Sequence, residues 1–127
     1  MPMKRNVFFI ISALLAWLFG LMMVFLPDSM AATTTTSFNI GMQWFGIALV
    51  SVGVINFFSR NDPGSKALRA VMIGNIFLHL VGGAADIYDY TRGIVQLSSI
   101  LMGGVVHILM LVGFVYFLFK KENAEAK

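Results

Sequence analysis

Two histidines are the side chains in this chain of 127 residues that are best suited to chemistry. His79 and His107 both fall inside long apolar runs, and a polar group buried in hydrocarbon is a functional-site candidate by default. Asn75 and Asp86 lie four residues before and seven residues after His79, so a helix would place all three side chains on one face. The spacing therefore predicts a polar site around the two histidines.

The second histidine has a polar face of its own, because Ser99, Gly103 and His107 recur at intervals of four residues. Counted at about 1.5 Å per residue from the same side of the membrane, the two imidazoles differ by only about 5 Å in depth. They can therefore meet if their helices are neighbours. The residues predicted to line a small polar cavity are His79, His107, Asn75, Gln43, Ser99, Gly82 and Gly103.

Four interpretations of the histidine pair are open. The histidines could form hydrogen bonds between helices, or they could line a pocket for a small or amphipathic ligand. They could belong to a proton or ion path with Asp86 and Asn75, or they could ligate haem axially. Packed helices lie about 8–10 Å apart, which leaves no room for a macrocycle between two imidazoles, and zinc would need three or four ligands. We therefore expect no cofactor, with haem the one that the residues would allow.

Three charged residues follow the first histidine: Asp86, Asp89 and Arg92. They fall near the end of an apolar run, where a carboxylate costs little free energy. Arg92 could pair with either Asp86 or Asp89. They are predicted to be interfacial anchors or the outer mouth of the polar site.

The composition requires a membrane around these residues. The chain is 58% apolar and only 12% charged, and its mean hydropathy is +0.83. A chain this short cannot bury so much apolar surface in a water-soluble core. It has no cysteine, and it carries no phosphate-binding loop, nucleophile elbow or zinc-protease motif. The sequence therefore favours a protein that is not an enzyme.

Four apolar runs are long enough to cross a bilayer, which takes about 20 residues each. They cover about 7–26, 38–58, 67–88 and 94–119, followed by a short charged tail at 120–127. The first run exceeds the 7–15 residues usual in a secretion signal, which predicts a retained helix. The fold class predicted for residues 1–127 is all-α: one integral membrane domain, a four-helix transmembrane bundle that runs up-down-up-down.

The basic residues predict the orientation. Eight of the nine Lys and Arg residues fall at the termini and in the second connection, and Arg92 alone falls on the other side. Short cytoplasmic loops are rich in Lys and Arg, so both termini are expected in the cytoplasm, with the helices in a bacterial inner membrane. This charge would attract anionic lipids, and its distribution is not that of a nucleic-acid-binding surface.

The connections carry turn signals. The residues Asn61-Asp62-Pro63-Gly64 predict a turn, Ser65 is a predicted N-cap of the third helix, and Thr91-Arg92-Gly93 is predicted to close the last hairpin.

Two segments resemble a known type of protein. Residues 46–75, GIALVSVGVINFFSRNDPGSKALRAVMIGN, and residues 111–119, LVGFVYFLF, are similar to small four-span bacterial membrane proteins of DoxX-like layout. These two segments comprise 39 of the 127 residues. It implies a four-helix membrane fold, and because such families have no settled activity it implies no catalytic residue.

The function expected from these observations is that of a non-enzymatic membrane protein with a small polar cavity. It would bind an apolar or amphipathic ligand or serve as a partner subunit among membrane lipids. The alternative is a small transporter or channel that works as a homo-oligomer, and a third class is a haem or quinone redox protein.

Overall fold

Four long helices make up a computed structural model that describes residues 3–30 and 36–120. They are α1 (Arg5–Phe25), α2 (Thr36–Ser59), α3 (Lys66–Thr91) and α4 (Leu97–Phe119), and a short 3-10 turn, Pro27–Met30, follows α1. The described ranges contain no strand, and each of the four helices is long and apolar enough to cross a membrane. The predicted all-α class with four helices of membrane-spanning length is confirmed. The threonines at 33–35 and the tail at 121–127 lie outside the described residues.

The turn between α3 and α4 explains why α4 begins three residues later than predicted. Gly93 adopts a φ of +69°, a backbone conformation that glycine accommodates without steric cost. Its N–H donates to the carbonyl of Tyr90 at 2.8 Å, and the N–H of Ile94 donates to the carbonyl of Asp89 at 2.9 Å. These two bonds satisfy carbonyls at the end of α3, as in a Schellman motif, and keep Ile94 outside the next helix.

The turn between α2 and α3 is held by Asp62 and Ser65. The Ser65 hydroxyl accepts a hydrogen bond from the N–H of Leu68 at 3.1 Å, which confirms the predicted N-cap. The Asp62 carboxylate accepts hydrogen bonds from the N–H of Ser65, the Ser65 hydroxyl and the N–H of Gly64. These bonds stabilise the charged carboxylate and hold the pKa of Asp62 below its usual value, with the N–H of Ser65 making the largest contribution.

Helices α1 and α2 form a hairpin whose backbones nearly touch. A Cβ atom added to Gly46 would lie 2.6 Å from the carbonyl oxygen of Gly20, closer than van der Waals contact allows. Farther along the same interface, the indole of Trp17 lies against Gly53. Small residues let helices approach this closely in lipid, where packing takes the place of the hydrophobic effect.

Helices α3 and α4 form the second hairpin, and the two hairpins meet most tightly at one end of the bundle. This end, called the basic end below, carries Lys4, Arg5, Arg60, Lys66, Arg69 and Lys120. Here the ring of Phe8 from α1 lies 4.8 Å from the ring of Phe114 and 5.2 Å from that of Phe117, both on α4. Arg5 adds a hydrogen bond from its guanidinium to the carbonyl of Asp62. The aromatic cluster is therefore the main junction between the hairpins.

Candidate polar site inside the helix bundle

The two histidines touch each other. Nδ1 of His79 lies 3.1 Å from Nδ1 of His107, and the ring centroids are 5.2 Å apart. The His79 ring is also stacked on Phe114, with an interplanar angle of 18° and a centroid distance of 6.0 Å. The structure thus brings α3 and α4 together at the depth where the sequence predicts that the imidazoles can meet.

Asp86 extends the pair toward the end of α3. One of its carboxylate oxygens, Oδ2, lies 3.6 Å from Nε2 of His107. The contact between the two Nδ1 atoms requires one histidine to donate and the other to accept, and the tautomers of the two rings set which one donates. The three side chains therefore form a contiguous row of His79, His107 and Asp86.

Two glycines make room for this row. A Cβ atom on Gly82 of α3 would lie 2.7 Å from Cε1 of His107, and a Cβ atom on Gly103 of α4 would lie 2.9 Å from Oδ2 of Asp86. Each helix therefore has a glycine where the other helix places a polar side chain. The space beside these two glycines holds the protein's own imidazole and carboxylate.

Asn75 belongs to a second polar cluster, which links the two hairpins. Its amide donates to the side-chain oxygen of Asn56 at 2.8 Å and to the backbone carbonyl of Val71 at 2.9 Å. The amide of Asn56 donates in return to Asn75 at 2.9 Å and also to the hydroxyl of Ser12 at 3.0 Å. Ser12, Asn56 and Asn75 are all buried, and this network joins α1, α2 and α3.

The other residues predicted for the site lie away from the histidines or outside the described residues. Gln43 is exposed, and its amide donates to the carbonyl of Val24 at the end of α1 rather than to a histidine. The side chain of Ser99 lies outside the described residues. The guanidinium of Arg92 lies over the ring of Tyr88 and near its hydroxyl, and in the described ranges it forms no ion pair with Asp86 or Asp89.

An apolar groove of about 700 Å³ runs between α2 and α3. Residues that line it include Phe45, Val52, Ile55, Gly74, Phe77 and Val81. Asn75 and Gly82 also line it, and they lie on α3 four residues before and three residues after His79. Since these positions share one face of the helix, the groove passes within about one helical turn of the histidine pair.

The site does not fit haem or a metal ion. Two imidazole nitrogens 3.1 Å apart leave no space for a macrocycle between the rings. Residues 3–30 and 36–120 contain no group of three or more His, Cys, Asp or Glu side chains that could hold a metal ion. The arrangement places three titratable side chains in a row, with the two imidazoles within hydrogen-bond distance of each other.

Comparison with protein-family models, with curated proteins and with solved structures gives no match to this chain. The resemblance to four-span proteins of DoxX-like layout stays a prediction.

Asn56 and Ser12 are the polar residues of the interior that lie beyond the predicted cavity. Both are visible in the sequence as polar side chains inside apolar runs. Their role depends on which helices are neighbours: Asn56 contacts α1 and α3 at once, and the period of a single helix carries no information about that arrangement.

Proposed function

We propose that this protein is a non-enzymatic integral membrane protein that binds an apolar or amphipathic molecule in the groove between α2 and α3. One observation carries the proposal: a groove of ligand size passes beside the half-buried polar side chains of His79, His107 and Asp86. Small-molecule sites are typically 300–1,000 Å³ in volume, mostly apolar, with a few polar groups that orient the ligand.

The groove suits a hydrocarbon more than a water-soluble solute. Phe45, Phe77 and Val81 line it, and they are 46–66% exposed on the outer surface of the bundle. A ligand can therefore enter from the bilayer, with a polar group directed toward the histidines. A partner subunit that inserts an apolar helix face would use the same surface.

The orientation is part of the proposal. The basic end holds six of the seven Lys and Arg residues that the structure describes, and Arg92 lies at the opposite end. This asymmetry supports cytoplasmic termini in a bacterial inner membrane.

Gly74→Leu tests the groove, because a Cβ atom at this position meets nothing within 4 Å and a leucine would extend into the groove. The probe is a fatty acid with a photoreactive diazirine in its chain, added to the protein in vesicles. We expect cross-links at Phe45, Phe77 and Val81 in the parent protein and loss of most of them in Gly74→Leu, measured by peptide mass spectrometry.

Gly41→Leu is the matched control, since Gly41 also has open space around it but lies outside the groove. It should keep the parent pattern. Equal labelling of all lipid-facing residues in the parent protein would contradict the proposal.

A second candidate is a small transporter of protons or ions, which the contiguous row of Asp86, His107 and His79 supports. The row leads from near one end of α3 to the middle of the bundle, and the cluster of Asn75, Asn56 and Ser12 continues from there toward the basic end. Four helices rarely enclose a wide path alone, so this function implies a homo-oligomer.

Proteoliposomes with a pH gradient test the transport function. If the row carries protons, His79→Ala and Asp86→Asn should each abolish the flux that a pH-sensitive dye inside the vesicles records, because each removes one member of the row. Asp89→Asn removes the same kind of charge outside the row and should leave the flux unchanged. A parent protein without flux, or His79→Ala with full flux, would eliminate this candidate.

A further inference from the structure

A second groove, between α1 and α4, opens toward the basic end of the bundle. Its volume is about 520 Å³, and Phe8, Ile11, Val112 and Tyr116 are among the residues that line it. It shares no lining residue with the groove between α2 and α3. The two grooves therefore lie on different sides of the bundle, and this one does not depend on the proposed function.

The length of this groove matches one leaflet of a bilayer. On α4 its lining extends from Leu109 to Phe117, which is about 12 Å along the helix axis at 1.5 Å per residue. One leaflet contributes about 15 Å of hydrocarbon to a typical membrane. A groove of this length that starts at the membrane surface can hold a single acyl chain alongside the protein.

Two lysines lie at the basic end of the bundle, where Met3 and Phe117 line the groove. Lys4 is the N-cap of α1 and Lys120 the C-cap of α4, so the antiparallel arrangement of these helices places both at the basic end. The Lys120 ammonium lies 5.4 Å from the ring centroid of Tyr116 and 5.8 Å from that of Phe117, and both rings line the groove. Both lysines are exposed, and in residues 3–30 and 36–120 no carboxylate forms an ion pair with either of them.

We propose that the groove between α1 and α4 binds one acyl chain of an anionic phospholipid, whose phosphate headgroup lies between Lys4 and Lys120. The apolar walls accept the chain of any phospholipid, and the two ammonium groups select for negative charge. Among the described residues that line this groove, Tyr116 alone carries a hydroxyl group, and the Lys120 ammonium lies 5.4 Å from the centroid of its ring.

Selective labelling tests the charge of the two lysines. The full chain is placed in vesicles that contain either photoreactive phosphatidylglycerol or photoreactive phosphatidylcholine, each with the diazirine in its acyl chain. Labelling of residues 109–117 should favour the anionic lipid, by about fivefold for each lysine that contacts the headgroup. Lys4→Gln combined with Lys120→Gln should remove the preference.

Lys66→Gln combined with Arg69→Gln is the matched control. It removes the same charge from the same end of the bundle, but from the first turn of α3, away from this groove. It should keep the preference. Equal loss in both double variants would show general attraction to a basic surface and would overturn the proposal, as would equal labelling by the two lipids in the parent protein.

Two single variants test the groove independently of charge. Val112→Trp fills the groove and should abolish labelling of residues 109–117 by both lipids. Val105→Trp places the same ring on an exposed position of α4 outside the groove and should have no effect. Undiminished labelling in Val112→Trp, or a dimer in the parent protein that covers this face, would contradict lipid binding here.

Discussion

Gly46→Val is expected to lower the free energy of unfolding by about 3 kcal/mol, the largest effect of any single substitution considered for this protein. The added Cβ would lie 2.6 Å from the carbonyl oxygen of Gly20 and 2.9 Å from Cβ of Met23. Backbone cannot move aside as a side chain can, so the valine must push α1 and α2 apart along the interface. Unfolding by sodium dodecyl sulfate in mixed micelles, followed by circular dichroism, measures the change.

Gly41→Val provides the control for helix propensity and side-chain volume. Gly41 is on the same helix, and a Cβ atom there meets nothing within 4 Å. We expect a change within about 0.5 kcal/mol, as for most substitutions on open surface. Equal destabilisation by the two substitutions would mean that the helices do not approach closely at Gly46.

Asn56→Leu should destabilise the protein by about 2 kcal/mol. Asn56 is fully buried and forms hydrogen bonds with both Ser12 and Asn75, so the leucine leaves two buried polar side chains without their partner. Asn75→Leu should cost a similar amount, because it leaves Asn56 with Ser12 as its one remaining side-chain partner. The same micelle titration measures both variants.

The double variant separates the Asn56–Asn75 interaction from the effects of the individual side chains. With both asparagines replaced by leucine, neither is left unpaired, so the combined loss should be smaller than the sum of the two by about 1 kcal/mol. Ser51→Ala is a suitable control, since the Ser51 hydroxyl is exposed and bonds to Ile47 within its own helix. Additive losses would refute the proposed coupling between the hairpins.

These two tests concern different parts of the same assembly. Gly46 sets the distance between α1 and α2 in the first hairpin, whereas the asparagine pair holds the first hairpin against the second. The groove between α2 and α3 is bounded by both hairpins, and Asn75 lines it directly. A variant that loosens the asparagine pair should therefore change the shape of the groove. A variant that separates α1 from α2 should mainly change the packing within the first hairpin.

Local signals were sufficient for the helices and turns. The apolar runs predicted four helices to within three residues at each end, because about 20 apolar residues in succession have few alternatives to a membrane helix. Ser65 was identifiable as an N-cap and the turn at Gly93 as the end of a hairpin, since capping depends on residues that are adjacent in sequence.

The arrangement of the two histidines could be predicted only in part from the sequence. Equal depth in two consecutive helices follows from counting residues, and it correctly placed His79 and His107 within reach of each other. The hydrogen-bond partner of each polar side chain could not be predicted by counting residues. Gln43 was expected near the histidines and bonds instead to Val24, because the rotation of α2 about its axis is set by its contact with α1.

The sequence alone determined that the chain forms four membrane-length helices, where each begins and ends to within three residues, and which polar side chains lie inside them. These properties depend on composition and on neighbours along the chain. The tertiary structure decided that the helices pack as two tight hairpins, that Asn75 pairs with Asn56, and that His107 and Asp86 occupy the space at Gly82 and Gly103. The physical reason is that helix rotation and spacing arise from side-chain packing between distant segments, which no local pattern of residues records.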